Sequence, residues 1–172
     1  MKIIYSSIRI IILLAFICTF SSCKINYSFS GASISPEMKT FSVASIDNRA
    51  PLFHPTLALT LEENLKDKIL NQSSLKLVTS EGDADFSGEI SDYFTQPMAI
   101  QGNDKAAQTR LSVTIKIKYI DNKEPKNSYS QTFTRYEDFG ADENLSQVED
   151  ELIKKIVEQL SEDIFNKAFV NW

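Results

Sequence analysis

Five apolar side chains, Leu111, Val113, Ile115, Ile117 and Tyr119, occupy alternate positions of the stretch RLSVTIKIKYI, with Ser112, Thr114, Lys116 and Lys118 between them. A period of two puts the first set on one face of a β-strand and the second on the other. A strand with one dry and one wet face belongs to a sheet covered on a single side, the habit of antiparallel sheets. The cover must come from elsewhere in the chain.

Two stretches have the helical period. Leu57, Leu61, Leu65 and Ile69 recur every fourth residue in PTLALTLEENLKDKILNQ. They predict a helix from Pro55, which suits a first turn where no N–H is needed, to about Asn71. Nearer the C-terminus, Val148, Leu152, Ile153, Ile156, Val157, Leu160, Ile164, Phe165 and Ala168 form a broad apolar stripe, with Lys154, Lys155, Glu158 and Glu162 on the wet side. Ser146 and Glu149 have the spacing of a capping box that would open this helix.

The other segments read as strands. KTFSVASI (39–46) places Phe41 and Val43 on one face and Ala44 and Ile46 on the other, and SLKLVTS (74–80) is a short strand. In DFSGEISDYFTQ, Phe86, Gly88 and Ile90 alternate with Ser87, Glu89 and Ser91; in SYSQTFTRYEDF, Tyr129, Gln131, Phe133 and Arg135 alternate with small hydroxyls. The order predicts an α+β fold, a two-layer sandwich with two helices packed on one face of a mainly antiparallel sheet of about four strands.

The N-terminal apolar run, Ile10 to Phe20, is about half the roughly 20 residues that a membrane-spanning helix needs. Lys2 and Arg9 precede it and Ser21-Ser22 follow, the layout of a secretory signal peptide. Cys23 comes next, so the junction resembles the lipobox of bacterial lipoproteins, with Phe20 where leucine is usual. In that family cleavage falls before the cysteine, which then carries the acyl chains, palmitate among them. Two or more such chains make a stable anchor. The competing reading is a plain secreted protein with an unmodified cysteine. The expected organisation is a leader over 1–22, a lipidated tether over 23–38 and a single α+β domain over 39–172. Lys24 is not the aspartate that resembles an inner-membrane retention signal, so the expected address is the periplasmic side of the outer membrane.

The whole chain carries a formal charge of −5, and the leader takes away Lys2 and Arg9 but no acid, leaving the mature chain two units more negative. That argues against nucleic acid as a partner. With Cys18 in the leader and Cys23 modified, no thiol remains for a disulfide, so the core alone must hold the fold.

Signs of catalysis are sparse. His54 is the only histidine, and the five glycines form no phosphate-binding loop. Asp83, Asp85, Glu89 and Asp92 come closest to a cluster, but their spacing is not that of a calcium loop. The reading is a protein that is not an enzyme and needs no cofactor or metal. Lys105, Arg110, Lys116 and Lys118 offer a better lead, a line of cations suited to the phosphates or carboxylates of a lipid head group. The same lysines would equally suit a strand that uses charge to avoid edge pairing.

Longer motifs add a resemblance. YSFSGASI, PLFHPTLALTLEENLKDKIL, PMAIQGNDKAAQTRLSVTIKIKY, FTRYEDF and VEDELIKKIVEQLSEDIFNKAFVNW together resemble the Bacteroidetes branch of the LPS-assembly lipoprotein family, LptE. The resemblance implies a fold of two helices on a four-stranded sheet and a protein lipidated at Cys23. It implies a plug inside an LptD-type outer-membrane β-barrel that helps assemble it and helps lipopolysaccharide reach the outer leaflet. It also implies lipopolysaccharide contact through basic residues, for which Lys105, Arg110, Lys116 and Lys118 are the candidates by position. The alternative is an independent lipid- or glycan-binding lipoprotein facing the periplasm.

Overall fold

The computed structural model describes residues 34–52, 54–98 and 107–170. Cys23 and Lys105 lie outside them. The elements follow as β1 (Thr40–Asn48), α1 (Leu57–Gln72), β2 (Lys76–Leu77), β3 (Ala84–Met98), β4 (Gln108–Asp121), a 3-10 turn (Pro125–Asn127), β5 (Tyr129–Gly140) and α2 (Leu145–Phe169). They build one five-stranded sheet in the order β2-β1-β3-β4-β5. β3, β4 and β5 are antiparallel neighbours, while β1 runs parallel to both β2 and β3. The sheet is therefore mixed and has one strand more than expected, because β1 reaches β2 through the α1 crossover.

Both helices cover the same face. Leu57, Leu61, Leu65 and Ile69 of α1 and Ile153, Ile156, Val157, Leu160, Ile164 and Phe165 of α2 share one buried cluster with Phe41, Phe86, Ile90 and the five alternating residues of β4. Phe86, Tyr119, Phe165 and Phe169 pack ring against ring within it, with centroids 5.0–6.1 Å apart. Such offset and edge-on contacts add to the burial of area alone.

Three local expectations are corrected. The register of β1 against β3 shifts between Val43 and Ile46, which returns Ile46 to the buried face that strict alternation denied it. A second shift, between Ile90 and Asp92 of β3, likewise turns Tyr93 inward and Phe94 outward. A bulge adds one residue to one strand and so reverses the faces beyond it. The helix ends also differ. Asn144 caps α2, its side chain accepting from Ser146 N at 3.1 Å and Ser146 Oγ at 2.9 Å. Glu149, freed from a capping box, accepts instead from the Tyr93 hydroxyl. Pro55 lies in the turn before Thr56, the N-cap of α1, rather than within the helix.

The acids singled out in the sequence serve as fasteners. Asp83 accepts from the backbone amides of Lys39 at 2.7 Å and Thr40 at 3.0 Å and pairs with Lys123 Nζ at 2.9 Å. Asp85 accepts from Gly82 N at 2.9 Å, from Asn122 Nδ2 at 2.9 Å and from the Ser42 hydroxyl. Their oxygens join the start of β1 to the start of β3. The donors on Asp83, the Lys39 amide first and the Lys123 ammonium next, hold its carboxyl well below the ordinary range.

A depressed carboxyl contributes stability that is complete above its unfolded pKa and is lost as pH falls toward the folded value. The melting temperature should therefore drop steadily from about pH 5 downward. Asp83→Asn should narrow the gap between the melting temperatures at pH 7 and pH 3. A gap of wild-type width would assign the acid sensitivity to other carboxylates.

Candidate functional site

The face of the sheet opposite the helices holds the candidate cations. Even-numbered residues of β4 point there, so Arg110, Lys116 and Lys118 share it. Arg110 sits opposite Gln96 on β3 and Asp138 on β5. Its Nε donates to Asp138 Oδ1 at 2.7 Å and its Nη2 to Oδ2 at 2.9 Å, and its guanidinium carbon lies 3.5 Å from the centre of the Tyr136 ring. The fork-to-fork pair lowers the Asp138 carboxyl and raises the guanidinium. Arg110 is therefore largely neutralised and fixed in direction, a planar group against the ring of Tyr136 (47 % exposed), while Phe94 (38 % exposed) stands opposite Ser112 on the same side of the sheet.

Lys116 and Lys118 differ from it. Lys116 lies between Glu89 and Thr132, and Lys118 between Ser87 and Ser130. Both are exposed, and among the described residues neither makes an ion pair. Because β4 is flanked by β3 and β5, these lysines do not protect an edge. The edge-protection reading of them is thereby removed. Two cations on a wet face, beside a row of Ser and Thr hydroxyls, can hold an anionic group by charge and hydrogen bonds.

Sequence reasoning missed Tyr136, Asp138 and Phe94. Asp138 lies 28 residues from Arg110, and only strand register brings them together. Arg135 shares a face of β5 with Phe133 and so stands apart from the cations of β4. It does point to the helix side, where its Nε and Nη2 donate to Asp163 of α2, each at 2.6 Å.

His54 has two loosely placed polar neighbours among the described residues. Its Nδ1 is 3.4 Å from Thr56 Oγ1 and its Nε2 is 3.7 Å from Asp150, whose side chain is 98 % exposed. Those distances exceed the hydrogen-bond reach of a working nucleophile–base pair. The ring instead lies against Tyr93, centroids 6.2 Å apart. Burial, and then the bond to Glu149, raises the Tyr93 pKa, so the hydroxyl stays protonated and pins β3 to the first turns of α2. Among the described residues no three His, Cys, Asp or Glu side chains are grouped to hold a metal ion, and no helix is long and apolar enough to cross a membrane.

Residues 38–168 match the lipopolysaccharide-assembly family LptE. The chain belongs to the LptE family. The match begins two residues before β1 and ends one residue before the last of α2, so it takes in every element of the sandwich. The fold is similar to a minor lipoprotein from Acinetobacter baumannii, with 18 % identity, a TM-score of 0.50 and coverage of 76 % of this chain and 91 % of that one. It is similar also to a protein from Xanthomonas campestris, with 10 % identity, a TM-score of 0.52 and coverage of 79 % and 90 %. Rare lipoprotein B from Shewanella oneidensis aligns at 12 % identity and a TM-score of 0.49, over 73 % of this chain and 91 % of the other. At these identities the likeness is one of fold. Among curated proteins, none matches.

Proposed function

We propose that this LptE-family chain is an outer-membrane lipoprotein that plugs and helps assemble an LptD-type β-barrel and supports lipopolysaccharide transport to the outer leaflet. The family match across the whole sandwich carries the reading. In it, residues 1–22 are a leader that is removed, Cys23 bears the acyl chains, 23–38 form a tether and 39–172 form one domain on the periplasmic side. Lys105, Arg110, Lys116 and Lys118 are the glycolipid-contact candidates. Lys116 and Lys118, without ion-pair partners among the described residues, are open to an anion, whereas Arg110 is engaged by Asp138. The protein needs no catalytic group for this work.

An independent lipid carrier would need an apolar interior. Among the described residues, the side chains of both helices and the sheet meet in one buried cluster. A groove of about 320 Å³ lies among Lys68, Arg135, Glu158, Gln159, Glu162 and Asp163, a charged lining unsuited to acyl chains.

Mild-detergent extraction of the full chain tests the proposal. The expected result is a copurifying β-barrel and an acylated N-terminal peptide by mass spectrometry. Lys116→Gln with Lys118→Gln should weaken lipid A binding about tenfold or more, at roughly 1.5–3 kcal/mol for each dehydrated charged contact. Barrel copurification should survive that change. An unmodified Cys23, or normal surface lipopolysaccharide and folded barrel after depletion of the protein, would overturn the reading.

A further inference from the structure

Strand register sets an aromatic row across the open face of the sheet. Phe94 of β3 stands opposite Ser112 of β4, and Ser112 stands opposite Tyr136 of β5. Residues paired across strands share a face, so both rings rise on the side away from the helices. Two strand spacings put them about 10 Å apart. Ser112 between them is 5 % exposed although it is the smallest of the three, so its neighbours close over it and make a low apolar floor. Large apolar side chains exposed singly need no explanation, but these two share one row.

The rows on either side are polar. Asp92, Thr114 and Thr134 form one of them, with the two threonine hydroxyls 3.0 Å apart. Asp92 is exposed, and its carboxylate has no partner among the described residues. In the row beyond, Asp138 holds Arg110, whose guanidinium lies over one face of the Tyr136 ring. That pair is neutral as a unit, and the other face of the ring is left for a ligand.

An occupant must match this order, apolar in the middle, polar on both sides and without net charge. An acyl chain fails, because nothing apolar continues beyond the two rings. A phosphate fails, because Asp92 repels it and Arg110 is already engaged. A nucleobase would stack, but the phosphates joined to it meet the same acid. A sugar ring fits. One of its faces is lined with C–H bonds that pack on an aromatic ring, and its rim of hydroxyls both donates and accepts. The Asp92 carboxylate can accept from two neighbouring hydroxyls, and Thr114 and Thr134 can donate or accept.

We propose that the row of Phe94, Ser112 and Tyr136 is a binding subsite for an uncharged sugar ring, whose hydroxyls are fixed by Asp92 and by the Arg110–Asp138 pair. This rests on the glycolipid reading of the same face. Lys116 lies four residues along β4 from Ser112, a distance of about 13 Å. A head group lying along the strand would place its phosphates at Lys116 and Lys118 and a neutral sugar over the rings. The lysines read charge, and the aromatic row reads shape.

Saturation-transfer NMR and calorimetry on the full chain, in a detergent without sugar groups, test the subsite. The probe is the oligosaccharide of lipopolysaccharide, stripped of acyl chains and phosphate, and it should bind the wild type. Phe94→Ala and Tyr136→Ala should each weaken it about tenfold. Circular dichroism should not change, since both side chains are exposed. Tyr136→Phe keeps the ring and should bind like the wild type, while Asp92→Asn should weaken binding severalfold. With its phosphates kept, the oligosaccharide should bind the wild type more tightly, and Lys116→Gln with Lys118→Gln should abolish that gain.

A phosphate-free probe that fails to bind the wild type would overturn the subsite. So would equal binding by the wild type and by Phe94→Ala with Tyr136→Ala. Barrel copurification is read in parallel: a barrel without sugar binding removes the subsite and leaves the proposed function standing, and sugar binding without a barrel does the reverse. If the double variant loses the barrel while the wild type binds no sugar, the rings belong to the barrel wall instead.

Discussion

Ile156→Ala is expected to lower the unfolding free energy by about 2–5 kcal/mol. Ile156 is 0 % exposed and sits midway along α2, between Ile153, Val157 and Leu160 on the same buried stripe. Truncation removes the transfer free energy of the lost carbons and leaves a space. That space cannot close readily, because α1 lies against α2 on one side and the sheet lies beneath. With a typical total of about 5–15 kcal/mol and no cysteine among the described residues, the loss is a large share. At roughly 2–4 °C per kcal/mol for a domain of this size, the melting temperature should fall by on the order of 10 °C. An unchanged melting temperature would mean that α2 rests on a different face.

Gly82→Ala is expected to cost about 1–3 kcal/mol, and more if β1 cannot shift. A Cβ there would lie 2.6 Å from Ser42 N, 2.7 Å from Phe41 C and 2.8 Å from Phe41 Cα. All three are backbone atoms, so no side chain can swing aside. Nor is β1 free to retreat. Phe41 is buried, Asp83 holds the Lys39 and Thr40 amides, and the Ser42 hydroxyl donates to Asp85. Asn122 Nδ2 meanwhile donates to Gly82 O at 2.7 Å, holding the glycine from the other side. The damage should be local. Amide exchange should quicken in β1 and β2 and change little at the centre of β4. Wild-type exchange throughout would show that β1 passes Gly82 at a greater distance.

Periodicity made much of this fold legible. The alternation from Leu111 to Tyr119 is uninterrupted in β4, and the four-residue spacing of α1 buries the four residues it named. Periodicity fails where a strand departs from it. Ile46 and Tyr93 lie beyond bulges, and a bulge has no fixed signature in one chain. The start of α2 misled for another reason: Asn144 and Ser146 can both cap a helix, and only Ser146 has a Glu three residues on to suggest a capping box. The candidate site was legible by face but not by partner. Alternation put Lys116 and Lys118 on one side and the strand extends that face to Arg110, yet the Asp138 that neutralises Arg110 comes from the next strand, by register alone. Spacing already spoke against a calcium loop at the acids around Asp83, but it could not show that backbone amides occupy Asp83 and Asp85.

The parallel seat of β1 has a consequence for the order of assembly. β3, β4 and β5 are joined by successive antiparallel pairings of chain neighbours, whereas the contact from Thr40 to Asp83 closes 43 residues. Pairings so distant in sequence are slow to form, because the ordering of the intervening chain must come first. The first strand to be synthesised is thus among the last to be seated, after α1 has folded back and β3 has offered its edge. Unseating runs the other way. Among the described elements, a pull exerted from the N-terminal side meets β1 first, so mechanical load reaches the latest-formed seam of the sheet while the three-stranded meander behind it stays paired.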